Sequence, residues 1–351
     1  MTPNPATAID ALLPKSLGNA AAMQRVAEMM LDAGRRDEAI ALAEQALAIA
    51  EEPTARQLRD LLARLVPGWH FLLVRDAPRN AAYRAAIDRA LTLRPGARVL
   101  EIGTGTGLLA LYAAQAGASE VVTCEVNPLA ARAATQVVAD NGLADRIRVL
   151  SRHSGDLEAQ RDIGWRADIL LSEIIANDVL SEGVLPAHEH AVRKLVAPGA
   201  IIIPGAGAAR VALVEDGADS RAPLTQIDGF DLSAFNRFIR RSHRVMVDDD
   251  RLVLRSDPAD LFRFDFASAR YLQPEMTTLT LAAKGGRVTG VLQWVSLDLG
   301  GGIGYENAPG GHWSNWAAIH HRFDAPVETA PGEAITISAA HNRRRITVWR
   351  G

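Results

Sequence analysis

The sequence predicts an α/β chain in three parts: a short α-helical segment, a parallel sheet wound with helices, and an antiparallel, barrel-like β domain. Three observations carry this. Between about residue 97 and Pro204, apolar strand runs alternate with helical runs, the rhythm of a parallel sheet with right-handed crossovers. After Pro204 the rhythm becomes a succession of strands with no long helix between them. Ahead of both, residues 19–66 read as helix, with strand signals missing.

Within the parallel part, strands are expected at 97–102, 119–125, 146–151, 167–173 and 199–203, and helices at 107–116, 128–141 and 181–195. In the C-terminal part, strands are expected at 208–215, 260–266, 276–283, 287–298, 317–323, 334–340 and 345–350, joined by short turns such as Lys284-Gly285-Gly286-Arg287. The polar stretch Gly217 to Asp228 and the residues after it, to Leu232, interrupt that series as a short arm. The expected boundaries are therefore 1–66, 67–204 and 205–351. In the first part, Gly34-Arg35-Arg36-Asp37-Glu38-Ala39, followed by Ala43, Ala46 and Pro53, resembles the turn and second helix of a tetratricopeptide repeat. Only one copy is visible, and a solenoid needs about three, so this segment either packs on the next domain or is a remnant with flanking helices, Ala55 to Leu65.

Composition excludes several classes. The chain has 351 residues, 48% hydrophobic and 23% charged, the balance of a globular protein. A net charge of −3 gives no reason to expect direct nucleic-acid binding or attraction to anionic membranes. No apolar run approaches the roughly 18 residues of a membrane span, and the first residues lack the charge and apolar core of a signal peptide. The single cysteine, Cys124, excludes an intrachain disulfide and suits a cytoplasmic setting. No metal-ligand spacing stands out, and no metal is expected.

Residues 99–109, VLEIGTGTGLL, carry the most chemistry. A strand runs into Glu101, glycines follow at Gly103, Gly105 and Gly107, and a small-residue helix begins. Glycine alone lets a backbone turn this tightly and lie against a ligand. The next strand ends on Glu125, about 20 residues after the glycines, where doubly wound sheets bind ribose hydroxyls. The pattern acid-x-Gly-x-Gly-x-Gly resembles motif I of class I S-adenosylmethionine methyltransferases, which implies a Rossmann-like domain and S-adenosylmethionine as cofactor.

Strand four ends ADILLSE and the chain continues IIANDVLSEG. Glu173 thus stands at the carboxyl end of a parallel strand, where open α/β sheets bind ligands. Glu182 follows at the expected start of the next helix, where alone it would also suit the helix dipole. Together, two carboxylates on one loop suit a planar cation with several N–H donors, a guanidinium.

With these residues the chain resembles the protein arginine methyltransferase family, which has two glutamates at this spacing after its fourth strand. In WHFLLVRDAPRNAAY, Asp76, Arg79 and Tyr83 stand where that family has an acid, the arginine that pairs with the cofactor carboxylate, and a tyrosine. Gly311-His312-Trp313-Ser314-Asn315-Trp316 resembles its Thr-His-Trp loop, and the C-terminal AITISAAHNRRRITVWR its last barrel strands. The resemblance covers roughly residues 68–351, and the helical N-terminus resembles the branch with tetratricopeptide repeats. It implies methyl transfer to a guanidino nitrogen of arginine in a protein or peptide. Glu173 and Glu182 would clamp the guanidinium, His312 would take or orient a proton beside Asp76, and Trp313 would wall the substrate site. Arg79, Glu101, Gly103, Gly105, Glu125 and Ser154 would hold the cofactor.

The departures bear on product and assembly. Gly311 replaces the threonine, the Tyr-Phe-x-x-Tyr helix is absent, and Gly183-Val184 stand where asymmetric dimethylating members have a bulky methionine. Monomethyl or symmetric products are therefore favoured over asymmetric ones. The short arm is the candidate dimerisation element, with a homodimer as the matching expectation. Two other readings stand: methylation of a small guanidino metabolite, and a non-catalytic scaffold that binds the cofactor.

Overall fold

The structure, a computed structural model, describes residues 5–217, 223–268 and 270–351. Part of the interrupting arm, residues 218–222, lies outside the described residues. The chain opens with four helices, α1 (Pro5–Ser16), α2 (Ala20–Asp32), α3 (Arg36–Ile49) and α4 (Thr54–Arg64). Asn19 caps α2, its side-chain oxygen accepting from the Ala22 amide at 3.0 Å. The turn between α2 and α3 falls at Gly34, whose φ of +77° needs glycine. Met23, Ala27 and Met30 pack there on Ala39, Ala43, Ala46 and Leu58, a core separate from that of the sheets. The segment also docks on the next part: the Asn127 side-chain Nδ2 donates to Leu65 O at 2.9 Å, and Arg132 meets Glu44 at 2.6 Å.

Two helices then lead into the first sheet, α5 (Trp69–Leu73) and α6 (Ala77–Leu93), followed by β1 (Arg98–Ile102), α7 (Leu108–Gln115), β2 (Glu120–Cys124), α8 (Pro128–Asp140), β3 (Ile147–Leu150), β4 (Ala167–Ser172), α9 (Val184–Lys194) and β5 (Val196–Ile203). The strands lie in the order β3-β2-β1-β4-β5, all parallel. Their period of two sends Val99, Val121, Ile169 and Leu171 to one face, under α6 and α7, and Leu100, Val122 and Leu170 to the other, beside Trp165 and Leu195. The chain order reverses between β1 and β4, so the loops after these two strands open the cleft where such sheets bind ligands. The expected helix at 181–195 begins only at Val184, which leaves Glu182 in the turn before it rather than on its first turn.

The second sheet is antiparallel and has eight strands, β6 (Ala206–Asp216), β9 (Ser242–Val245), β10 (Leu252–Leu254), β11 (Ala259–Asp265), β12 (Glu275–Gly300), β13 (Ile303–Glu306), β14 (Ala318–His341) and β15 (Ile346–Arg350). A small hairpin, β7 (Gln226–Ile227) and β8 (Phe230–Asp231), sits in the arm. The C-terminal part is antiparallel as expected, but two of its elements differ. The expected strands 276–283 and 287–298 are one bent strand, β12, and 317–323 and 334–340 are one bent strand, β14. Lys284-Gly285-Gly286-Arg287 does not reverse the chain. It forms irregularities in a ladder that continues on both sides, with Gly285 and Gly286 at φ +86° and +89°. A glycine pair supplies positive φ equally for a turn or for a bulge.

The two sheets are joined by buried polar contacts. Glu189 of α9 pairs with Arg343, beyond β14, at 2.8 Å and accepts from the Leu272 amide at 3.1 Å. His188 bridges Ser172 (2.6 Å) and Phe266 O (3.1 Å). Among the described residues no helix is long and apolar enough to cross a membrane.

Candidate active site

The glycine loop after β1 forms the floor of the cleft. Gly103, at φ +89°, brings its backbone against the loop after β4. A Cβ there would lie 2.8 Å from Ile174 Cγ2 and 3.1 Å from Glu173 O. The same glycine therefore shapes both halves of the site. Gly105, at φ +52°, faces His70 of α5, whose Nδ1 would be 3.3 Å from an added Cβ. Glu125 follows β2, and its two oxygens accept from the Gly105 amide (3.0 Å) and the Asn127 amide (2.9 Å), which fixes the carboxylate at the strand end. Ser154 is buried in the turn after β3, along the same edge of the sheet.

Glu101 is 1% exposed, and neither carboxylate oxygen has a hydrogen-bond partner. The Thr123 hydroxyl opposite it on β2 is engaged with Thr104 at 2.6 Å. Burial pushes the Glu101 carboxyl up to about 8. Arg79, 3% exposed on α6, likewise keeps an unpartnered Nε. A buried acid and a buried arginine with open hydrogen-bonding positions form a cradle for a zwitterion, the charge pattern of the amino-acid end of S-adenosylmethionine.

Arg79 also reaches the second carboxylate. Its guanidinium lies 3.2 Å from Glu173 and over the Tyr83 ring at 4.8 Å. Tyr83 is fully buried and donates to Ser172 O at 3.2 Å, tying α6 to the end of β4. Burial raises the Glu173 carboxyl to about 8. Arg79 opposes the rise, and the charge of Glu182 adds to it. The loop returns Glu182 to this neighbourhood because Ile175, Val179 and Leu180 are buried and Ala176 bridges Val179. Val179 holds φ +70°, an uncommon conformation for a β-branched residue, and Asp178 caps the turn by accepting from the Ser181 amide at 2.9 Å. Glu182 itself reaches solvent at the rim. Surrounding atoms raise its carboxyl, Asp178 adds to this, and Arg244 of β9 opposes it.

On the far side, Asp76 is 1% exposed and caps α6 by accepting from the Arg79 amide at 3.0 Å. His312 Nε2 stands 3.9 Å from Asp76 Oδ1. Tyr305 of β13 was not legible as a site residue. Its hydroxyl donates to Asp76 at 2.7 Å and lies 2.8 Å from Ser314 Oγ, so the antiparallel sheet holds the acid of α6 in place. Trp313 is exposed, whereas Trp316 is 4% exposed and packs edge-on against Tyr305. His70, Arg244 and Asp178 were also not singled out. His70 lay within the WHF stretch and Asp178 within IIANDVLSEG, but Arg244 carries no local signal.

Similarities to known proteins bear on this arrangement. The family profile described as ribosomal protein L11 methyltransferase (PrmA) matches residues 85–221. An arginine N(omega)-methyltransferase of Streptomyces achromogenes subsp. streptozoticus is 37% identical over 308 residues, 85% of this chain and 84% of that protein. A protein arginine N-methyltransferase 7 of Oryza sativa subsp. japonica is 31% identical over 260 residues, 68% of this chain but only 36% of that longer protein. In fold, the chain is similar to the Trypanosoma brucei PRMT1 enzyme-prozyme heterotetrameric complex with AdoHcy (TM-score 0.71, 23% identity, 80% of this chain and 91% of that one). It is also similar to Arabidopsis thaliana protein arginine methyltransferase 10 (TM-score 0.68, 18% identity, 82% and 93%). With the Rossmann-like sheet, the glycine loop and the two-glutamate loop in place, the chain belongs to the protein arginine methyltransferase family, whose members are S-adenosylmethionine-dependent enzymes.

Proposed function

We propose that this chain transfers a methyl group from S-adenosylmethionine to an ω-nitrogen of arginine. The observation that carries the reading is the buried Arg79–Glu173 contact, which joins a cradle for the donor's amino-acid end to the carboxylate pair suited to a guanidinium. When bound, the cofactor supplies an electrophilic methyl on sulfur. Arg79 and Glu101 would hold its carboxylate and ammonium, Glu125 its ribose hydroxyls, and Ser154 its base. Gly103 and Gly105 let the backbone approach.

A protonated guanidinium is a weak nucleophile, with a pKa above about 12. Glu173 and Glu182 would hold its N–H donors and draw the positive charge away from the attacking nitrogen. Most of the gain is alignment of nitrogen and methyl in a closed site. The proton lost after transfer would pass to the pair formed by buried Asp76 and exposed His312. Trp313, exposed beside it, would form a wall of the substrate site. Gly183 offers no side chain and Val184 is fully buried, so no bulky group follows Glu182. This supports monomethyl or symmetric products.

For the substrate, the favoured reading is arginine carried on a polypeptide. An open groove of about 850 Å³ runs along α2 and α4, lined by Gln24, Glu28, Gln57, Asp60 and Arg64, two acids against one base, and ends at Pro67 and Gly68, which lead into α5. Its acids suit a basic peptide, and we read the three parts 1–66, 67–204 and 205–351 as recognition segment, donor domain and substrate-closing domain. A second reading is free arginine. It is favoured by the Streptomyces relative, which is named for arginine itself and matched along 84% of its length. We also propose that the arm carries a second copy of this chain: Phe230, Phe235 and Phe238 are 72%, 66% and 65% exposed within a short segment. The single buried thiol, Cys124, suits a cytoplasmic setting.

The discriminating experiment compares kcat/KM for arginine-rich peptides and for free L-arginine, with and without residues 1–60. The polypeptide reading expects higher values for peptides and a loss on deletion. A preference for free arginine unaffected by the deletion overturns it.

A further inference from the structure

We propose that Asp216, His243 and His320 form a binding site for a divalent transition metal ion of the zinc type, which clamps the base of the arm to the second sheet. This inference goes beyond the methyl-transfer reading and does not depend on it.

The backbone brings the three residues together. His320 of β14 lies directly opposite His243 of β9 in the ladder, so both imidazoles project from one face. Their ring centroids are 5.1 Å apart. Asp216, the last residue of β6, points its Oδ2 at both: 3.3 Å to His320 Nδ1 and 3.7 Å to His243 Nε2. All the donor atoms fall within 4.8 Å of one another. Ligands about 2.0–2.1 Å from a tetrahedral ion stand roughly 3.3 Å apart, so small side-chain rotations complete the set. All three side chains are nearly closed to solvent, at 7%, 8% and 1% exposure.

The surrounding hydrogen bonds orient the donors. The Thr289 hydroxyl donates to Val214 O (3.1 Å), accepts from the Asp216 amide (3.0 Å), and lies 3.4 Å from His320 Nε2. Its proton is committed to Val214, so it accepts from Nε2–H of His320. That tautomer turns the lone pair of His320 Nδ1 toward the carboxylate of Asp216, 3.3 Å away. An imidazole nitrogen and a carboxylate oxygen then face each other as ligand atoms, with the second imidazole beside them. Gly290 makes room for the ring, since a Cβ would fall 2.6 Å from His320 Nε2 and 2.2 Å from His321 O. Two imidazole nitrogens and one carboxylate oxygen suit zinc and its transition-series neighbours, whereas calcium and magnesium prefer all-oxygen sets.

The position gives the site a consequence. The chain leaves the sheet for the arm just after Asp216 and returns through β9, so one ion would tie both ends of the arm to β14. Arg244, which follows His243, is the residue whose charge acts on Glu182. Fixing β9 would therefore fix a charge at the rim of the active site.

The test uses the tag-free full chain, stripped with a chelator, dialysed and reloaded with ZnCl2. The expected result is one equivalent of zinc retained through gel filtration, and a melting temperature raised by Zn²⁺ but not by Mg²⁺. Both effects should be lost in Asp216→Asn, His243→Gln and His320→Gln. If those variants fail to fold, the wild type decides alone: loading with Co²⁺ should give visible d–d bands and two exchangeable, hyperfine-shifted imidazole N–H signals. Substoichiometric zinc, no zinc-dependent melting shift, unaltered retention in folded variants, or cobalt without imidazole signals overturns the proposal.

Discussion

Replacing Glu173 with glutamine separates catalysis from stability. Burial holds the Glu173 carboxyl at about 8 against an ordinary 4.5, so at neutral pH the free chain carries it mostly protonated. Glutamine copies that protonated form, so Glu173→Gln should lie within about 1 kcal/mol of the wild type below pH 4.5 and, because only the wild type gains from ionising when unfolded, be the more stable of the two by up to about 3 kcal/mol at pH 7. The sign with pH follows from the raised value. The folded chain keeps a proton that the unfolded chain releases, so this contribution is full at low pH and fades as pH rises toward 8. The slope is at most about 1.4 kcal/mol per pH unit between the two values. The wild type should therefore lose stability relative to Glu173→Gln across that window. Catalysis should move differently. Holding a guanidinium needs the ionised carboxylate, so wild-type kcat/KM should climb with pH up to about 8. Removing one partner of a buried charge pair costs about 3–5 kcal/mol, which at 1.36 kcal/mol per decade is a loss of about 10²-fold or more. Melting curves against pH, beside single-turnover rates, read both effects. Near-wild-type rates, or a large drop in neutral-pH melting temperature with activity per folded molecule intact, would refute the reasoning.

Glu182→Gln should show a similar rate loss, and the double variant should be scarcely worse than either single one in the same single-turnover assay, because the two carboxylates act on one group. Tyr305→Phe removes a donor to buried Asp76 and should lower stability by about 1–3 kcal/mol in thermal melts, with methyl transfer reduced although Tyr305 belongs to none of the motifs. Gly103→Ala places a Cβ 2.8 Å from Ile174 Cγ2 at a left-handed φ, and calorimetry should show S-adenosylmethionine affinity falling together with the melting temperature. Phe230→Asp with Phe235→Asp should shift light-scattering mass toward the monomer. A mass that is unchanged, and dimeric in both proteins, would remove the arm from the assembly.

Much of this architecture was legible because it rests on local chemistry. The glycines at 103, 105 and 107 need positive φ, and all three have it, at +89°, +52° and +86°. The parallel strands read as apolar runs because both faces of that sheet are covered. Residues 173–182 could be read as a loop because two acids flank an apolar stretch, but not how Val179 and Asp178 fold it. The bent strands β12 and β14 were split in the reading because a glycine pair gives the same signal for a turn and a bulge. Tyr305 and Arg244 were invisible for a different reason. Each meets the site only through tertiary approach of the second sheet, and Tyr305 lies 229 positions from Asp76. The buried Asp216, His243 and His320 likewise share no sequence spacing, since three separate strands supply them.

The central claim is most directly tested by locating the transferred methyl. Purified chain, methyl-labelled S-adenosylmethionine, and either an arginine-rich peptide or free L-arginine would be incubated with the wild type and with Glu173→Gln, and the product fragmented by mass spectrometry. The account predicts the label on an ω-nitrogen of arginine in the wild-type reaction and its near absence with the variant. Label on another atom, or equal label from both proteins, would contradict it.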